Sequence, residues 1–338
     1  MLKHFHTITL LALLMLGGCG EPPTTNSGHP DKVYRHAMDG APGSLDPAQA
    51  ASLYANFLVV NLYDTLYRYK YLARPYELQL NLAAAMPEVS EDGLRVIIRL
   101  KQGVHFIDDS AFEAAVGREV TAGDFVYSIK RHFDPSTRAQ GAWLWQNRIE
   151  GLDAWKTQGS NYDLEVPGLL ALDDHTVQIK LTRPFPQLVH TLTQGFAAIV
   201  PREAVEEYGQ MLSNHPVGSG PFKLVSRDSA RAVLAKNPDF REEPFNLENE
   251  GFDPTAVNHF DAHKLRGKSP PFVDRLEIEF ITEDAARWNA FSAGELHFIK
   301  VPVSQFDHVL SKRDPLTLSP RYDGMYQFEA APEAGFIY

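Results

Sequence analysis

Residues 83–109 read AAAMPEVSEDGLRVIIRLKQGVHFIDD. Between Gly93 and Gly103 the run is apolar and β-branched, which predicts a strand punctuated by two glycines. Residues 121–133, TAGDFVYSIKRHF, predict the helix that follows. Thr121 stands as N-cap, Asp124 three residues on completes a capping box, and Phe125, Ile129 and Phe133 share one face. Tyr127 is expected to face the core of that helix.

Working outward, KVYRHAMDG (32–40) predicts a first strand and APGSLDP (41–47) a turn-rich link. Apolar residues at helical spacing predict a helix over Gln49–Tyr63 that runs into LYDTLYRY. LLALDDHTVQIKLT (169–182) reads as a hairpin turning near Asp173-Asp174-His175, and 220–240 as another turning at Arg227–Ser229. DRLEIEFI (274–281) alternates like a half-buried strand, 283–295 predicts a helix closing at Gly294, and LHFIKVP (296–302) a returning strand. Residues 242–271 are polar and loop-like. Interleaved strands and helices predict a mixed α/β architecture.

Composition narrows the function. A chain of 338 residues with 44% apolar and 22% charged residues is ordinary for a globular protein of about two domains. The net charge of −11, with basic residues dispersed, argues against a nucleic-acid partner. Cys19 is the only cysteine, so an intrachain disulfide is excluded. It sits where the uncharged run Ile8–Leu16 meets a polar, proline-bearing segment. That run is too short to span a bilayer but has the length of a signal-peptide apolar region. Leu16-Gly17-Gly18-Cys19 resembles the lipobox of bacterial lipoproteins, which implies a signal peptide over 1–18, lipidation of Cys19 and a tether over 19–32. Gly20 stands where some lipoproteins carry a retention aspartate, so the membrane face is left open.

Enzyme and metal signatures find little support. Ala262–Ser269 fits a relaxed phosphate-loop pattern, but a polar segment precedes it and Pro270-Pro271 follows. His259 and His263 stand four apart with no third ligand indicated. No Gly-x-Ser-x-Gly elbow occurs, and the neighbouring pairs Asp108-Asp109 and Asp173-Asp174 read as turn residues rather than an acid/base couple. No cofactor, metal centre or catalytic set is expected.

The order of motifs resembles the extracellular solute-binding proteins of family 5, the oligopeptide- and dipeptide-binding components of ABC importers. The resemblance is carried by GAPGSLDPAQA (40–50), NLYDTLYRY (61–69), the opening stretch, TAGDFVYSIKRHFDP (121–135), 166–189, IVPREAVEEYG (199–209), HPVGSGPFKLV (215–225) with LAKNPDF (234–240), and 275–299. It implies a periplasmic-binding-protein type II-like fold: a first lobe with an inserted subdomain over roughly 70–165, the solute-binding domain covering 33–338. Two segments depart from the pattern, the longer SAFEAAVGRE (110–119) and the longer 242–271. The chain stops at EAGFIY, where family members continue, so the second large lobe is expected to be largely missing.

The resemblance further implies a lipid-anchored, exported monomer that captures peptides for an inner-membrane ABC permease. Nickel, haem or a short sugar is the alternative cargo, and a lipid-anchored exported hydrolase the alternative class. It places one cleft wall at Asp39, Gly40, Ala41, Pro42, Gly43 and Ser44, which otherwise read as a simple turn. Trp143 and Trp145, two apart in GAWLWQNRI, are further candidates from the smaller subdomain.

Overall fold

The computed structural model describes residues 31–256 and 260–325. Cys19, the signal segment, most of the tether, His259 and the chain end at EAGFIY lie outside the described residues. Secondary structure begins with β1 (Val33–Met38) and α1 (Leu53–Leu62), followed by the hairpin of β2 (Tyr67–Tyr69) and β3 (Leu78–Leu80). The opening stretch supplies β4 (Glu88–Val89) and β5 (Arg95–Arg99). Next come α2 (Ala122–Arg131), α3 (Leu152–Thr157), β6 (Leu169–Asp173) and β7 (Thr176–Lys180). After α4 (Leu188–Thr191) and α5 (Arg202–Tyr208) the chain forms β8 (Phe222–Arg227), β9 (Arg231–Lys236) and β10 (Arg275–Phe280). It ends with α6 (Asp284–Ser292), α7 (Phe306–Val309) and the hairpin of β11 (Leu310–Arg313) and β12 (Leu316–Leu318).

Two four-stranded sheets organise these elements. The first runs β1-β10-β9-β8, with β1 parallel to β10 and the rest antiparallel. Its core joins Met38, Leu234, Leu276 and Ile278 to Ala55, Leu58, Val59 and Leu62 of α1. Ser52 caps α1 by accepting from the Ala55 N–H at 3.1 Å, so the helix starts at Leu53, later than Gln49. Asp46 caps a separate 3-10 turn at Pro47–Gln49, because Pro47 favours a first helical position and a fixed φ.

The second sheet, β4-β5-β7-β6, is antiparallel throughout and extends to Lys180, past residue 165. Val96 and Ile98 of β5 point to the same side as Val177 and Ile179 of β7, and α2 packs over that sheet through Phe125 and Ile129, with Phe133 just beyond its end. The capping box forms as expected: the Thr121 N–H donates to Asp124 Oδ2 at 2.8 Å. Arg118 then clasps the same carboxylate bidentately, at 2.7 and 2.8 Å. Tyr127 is half-buried, its ring 4.9 Å from that of Tyr162. Both expected hairpins form, and Gly294 closes α6 with φ +78°.

The two cores meet where His215–Pro221 crosses the end of α1. A Cβ on Gly218 would lie 2.1 Å from the Leu62 carbonyl oxygen, and one on Gly220 2.6 Å from the Leu62 carbonyl carbon. Only glycine lets these backbones touch. The Gly220 N–H donates to Leu62 C=O, and the Ile107 N–H to Gly218 C=O, so the opening stretch is stitched to the same crossing.

Candidate functional site

A cavity of about 400 Å³ opens where β1 ends. Its floor is His36–Asp39 of β1 and the residue after it, and Tyr54 of α1 stands on one side. Asp284 and Arg287 of α6 stand on another, and the chain from Leu296 to Val303 closes the last. The position follows from topology. The carboxyl ends of two parallel strands, β1 and β10, reach the same edge, and ligands of open α/β sheets collect outside such ends.

The polar groups divide into those already used and those left free. Arg287 is spent internally, donating to the carbonyls of Ile281 and Thr282 and pairing with Asp284. The Tyr54 hydroxyl donates to Asp39, and that bond together with the Asp39 charge holds the Tyr54 pKa above its ordinary value. Lys300 is exposed and makes no ion pair among the described residues. His36 packs against aromatic rings, 5.4 Å from Phe57 and 5.8 Å from Phe298. Its Nδ1 is buried with no partner, and burial lowers its pKa, so the ring is neutral. The cavity thus offers one carboxylate, one free ammonium and an apolar aromatic side.

Asp39 is the one member of the expected 39–44 wall that lines this cavity. Gly40 lies behind it: a Cβ there would be 2.3 Å from the Tyr54 ring. Ala41 and Gly43 are exposed, while Pro42 is buried with its carbonyl accepting from Arg227. Ser44 Oγ accepts from the Asp46 N–H at 3.1 Å, and Asp46 is bonded bidentately to buried Arg131 at 2.9 and 2.6 Å. That ion pair fixes the turn against α2. Trp143 is 63% exposed, whereas Trp145 is 1% exposed and packs inside the second core, so the pair is not brought together on one surface. Sequence reasoning missed His36, Tyr54, His297, Phe298 and Lys300. For His36 there was one signal, its alternation with Tyr34 along β1.

The segment 296–302, expected as a strand, is not one. At the point of contact with β1 the imidazole of His297 accepts the hydrogen bond that a strand's carbonyl would take.

A second cavity of about 390 Å³ lies between α2 and α5, but its charged groups are already bonded, Lys130 to the carbonyls of Tyr162 and Leu164. Arg118 pairs with Asp124 and Glu203, and Arg202 with Glu206. Asp109, at the opening stretch's end, accepts from Tyr208 Oη at 2.5 Å and lies 2.7 Å from His215 Nε2, a structural knot. Ala262–Ser269 forms a short 3-10 segment and a turn rather than a phosphate loop. Among the described residues no three His, Cys, Asp or Glu side chains are grouped to hold a metal, and no helix is long and apolar enough to cross a membrane.

Comparison with known proteins agrees with this architecture. The glutathione-binding protein GsiB of Pectobacterium atrosepticum is 28% identical over 276 residues, 81% of this chain and 43% of that protein. GsiB of Escherichia coli is 28% identical over 70% of this chain and 41% of its own length. The chain therefore spans less than half the length of these curated relatives. Among solved structures, an oligopeptide-binding protein of Borrelia burgdorferi superposes with TM-score 0.65 at 20% identity, covering 82% of this chain and 49% of that one. The murein tripeptide-binding protein MppA of Escherichia coli gives TM-score 0.64 at 21% identity over 82% and 48%. The fold is that of these type II binding proteins. The family model for bacterial extracellular solute-binding proteins, family 5 (middle region), matches residues 77–329, three quarters of the sequence. The chain belongs to the bacterial extracellular solute-binding proteins of family 5, binding proteins rather than enzymes.

Proposed function

We propose that the protein captures short peptides outside the cytoplasmic membrane and delivers them to the permease of an ABC importer, held at the membrane by lipid on Cys19. The observation that supports the reading is the cavity at the end of β1, lined by both Asp39 and the free Lys300 beside the aromatic rings of Tyr54 and Phe298. A carboxylate and an ammonium lining one cavity match the two charged termini of a zwitterion. Relatives named for glutathione binding support a small peptide as cargo. In this reading Asp39 contacts the ligand, and Gly40 to Ser44 shape the wall behind it. A cargo touching two lobes only when they close shifts the population toward the closed form.

Thermal-shift and calorimetric screening against di- to pentapeptides, glutathione, short sugars, nickel and haem tests this. Stabilisation by a peptide, weakened in Asp39→Asn and Lys300→Ala, is expected. Stabilisation by a sugar, nickel or haem alone replaces the cargo. Lipidation has its own test: Cys19→Ala is expected to release the protein from the detergent phase into the aqueous phase.

A further inference from the structure

The cavity wall from Leu296 to Val303 has no strand, yet His297 hydrogen-bonds it to β1. Lys32 and Met38 direct their carbonyls toward the β10 side, accepting from Asp274, Arg275 and Ile281. By alternation, the N–H and C=O of Arg35 point to the open edge. Both are taken by His297. The His297 N–H donates to the Arg35 carbonyl at 3.0 Å, and the Arg35 N–H donates to His297 Nδ1 at 2.9 Å. To accept, Nδ1 must carry no proton, so the hydrogen sits on Nε2 and the ring is neutral. The ring also stacks on Tyr34, 5.9 Å away, and Tyr34 stacks on His36 at 6.2 Å.

We propose that His297 is the positioning residue of the cavity wall, and that protonating it loosens the wall's attachment to β1. The consequence for binding rests on the cavity being the ligand site. Protonated Nδ1 is a donor facing a donor, so the Arg35 N–H loses its acceptor and the wall loses half of its attachment at His297. Histidine side chains ordinarily change charge between pH 5 and 8, the range an exported protein meets. On β1 stand Tyr34 and His36, and Arg35 reaches across to pair with Glu277 of β10 at 3.0 Å. Glu295 and Lys300 flank His297 in the chain, and Asp39, Tyr54, Asp284 and Arg287 line the cavity. Of these, His36 alone is a second imidazole, and burial lowers its pKa, so it takes up a proton at lower pH than an ordinary histidine.

The test is amide protection at Arg35, measured on the full chain without ligand at pH 7.5 and 5.5 and corrected for intrinsic exchange. Wild type is expected to lose protection about three- to tenfold on acidification, as the loss of one hydrogen bond implies. His297→Asn, whose side-chain oxygen accepts but does not titrate, should stay protected at both pH values, and His297→Ala should be unprotected at both. Affinity for a probe peptide, trialanine or glutathione, should follow the same three patterns. Equal protection at both pH values in wild type, or a protected His297→Ala, overturns the proposal. Arg35 protection behaving as expected while no probe peptide binds supports the anchor and overturns the peptide cargo instead.

Discussion

β5 and β1 are both strands of four-stranded sheets, and they are treated in opposite ways. β5 has a neighbour on each side, buries Val96 and Ile98, and has α2 packed on its sheet. Among the described residues β1 has one strand neighbour, and its outer edge is met by a cavity and by His297. Closure around β5 provides stability, while the incomplete edge of β1 leaves backbone and side chains for recognition. An exposed strand edge is ordinarily a hazard that proteins cover. Here part of it forms the floor of the candidate site.

The comparison can be broken hardest at the joint between the two regions. Asp46→Ala removes three hydrogen bonds, two of them from Arg131, and leaves that guanidinium buried without a partner. Destabilisation of about 3–5 kcal/mol is expected in urea unfolding. Because Asp46 also fixes the turn behind Asp39, ligand affinity should fall in whatever fraction remains folded. Replacing both partners by leucine and methionine should recover most of the stability.

The closed side carries a pH dependence distinct from that of His297. His132 is 4% exposed, donates from Nε2 to the Phe196 carbonyl at 2.7 Å, and has a bare, unpartnered Nδ1. Burial, with Arg131 adding repulsion against the Phe196 hydrogen bond, pushes its pKa down to about 4. The unfolded chain takes up this proton near the ordinary value and the folded chain does not. The stabilisation is therefore complete above pH 6.5 and disappears as pH falls toward 4. The unfolding free energy from urea titrations should drop over that window by up to about 3 kcal/mol, and His132→Gln should flatten the fall.

Two smaller effects sharpen the contrast. Thr121→Ala removes the hydroxyl that donates to Asp124 Oδ2 at 3.0 Å on the closed side and should cost about 1 kcal/mol without altering ligand affinity. Tyr54→Phe removes the hydroxyl bonded to Asp39 and should do the reverse, weakening ligand binding by at most about tenfold while leaving the unfolding midpoint in place.

The same contrast explains what was readable in the sequence. Thr121, Asp124 and the Phe125–Ile129–Phe133 face announce α2 because caps and periodicity act over a few residues. The hairpins of β6–β7 and β8–β9 are equally local, and the family pattern carried the fold class. Trp145 reads no differently from Trp143 until the second sheet closes over it. The absent strand at 296–302 depends on Arg35 meeting His297, 262 residues away, and no local pattern reports that meeting. Asp39 was visible as a residue after a strand, but Tyr54, which holds it, was hidden in an apolar helix.

Gly218 and Gly220 set a dimension as well as permitting a contact. Where they cross Leu62, the spacing between the two cores equals the thickness of two bare backbones, with no rotamer able to adjust it. That spacing acts as a fixed gauge. A single methyl group at Gly218 would lie 2.1 Å from the Leu62 carbonyl oxygen and act as a wedge, forcing the two backbones apart where the cores meet.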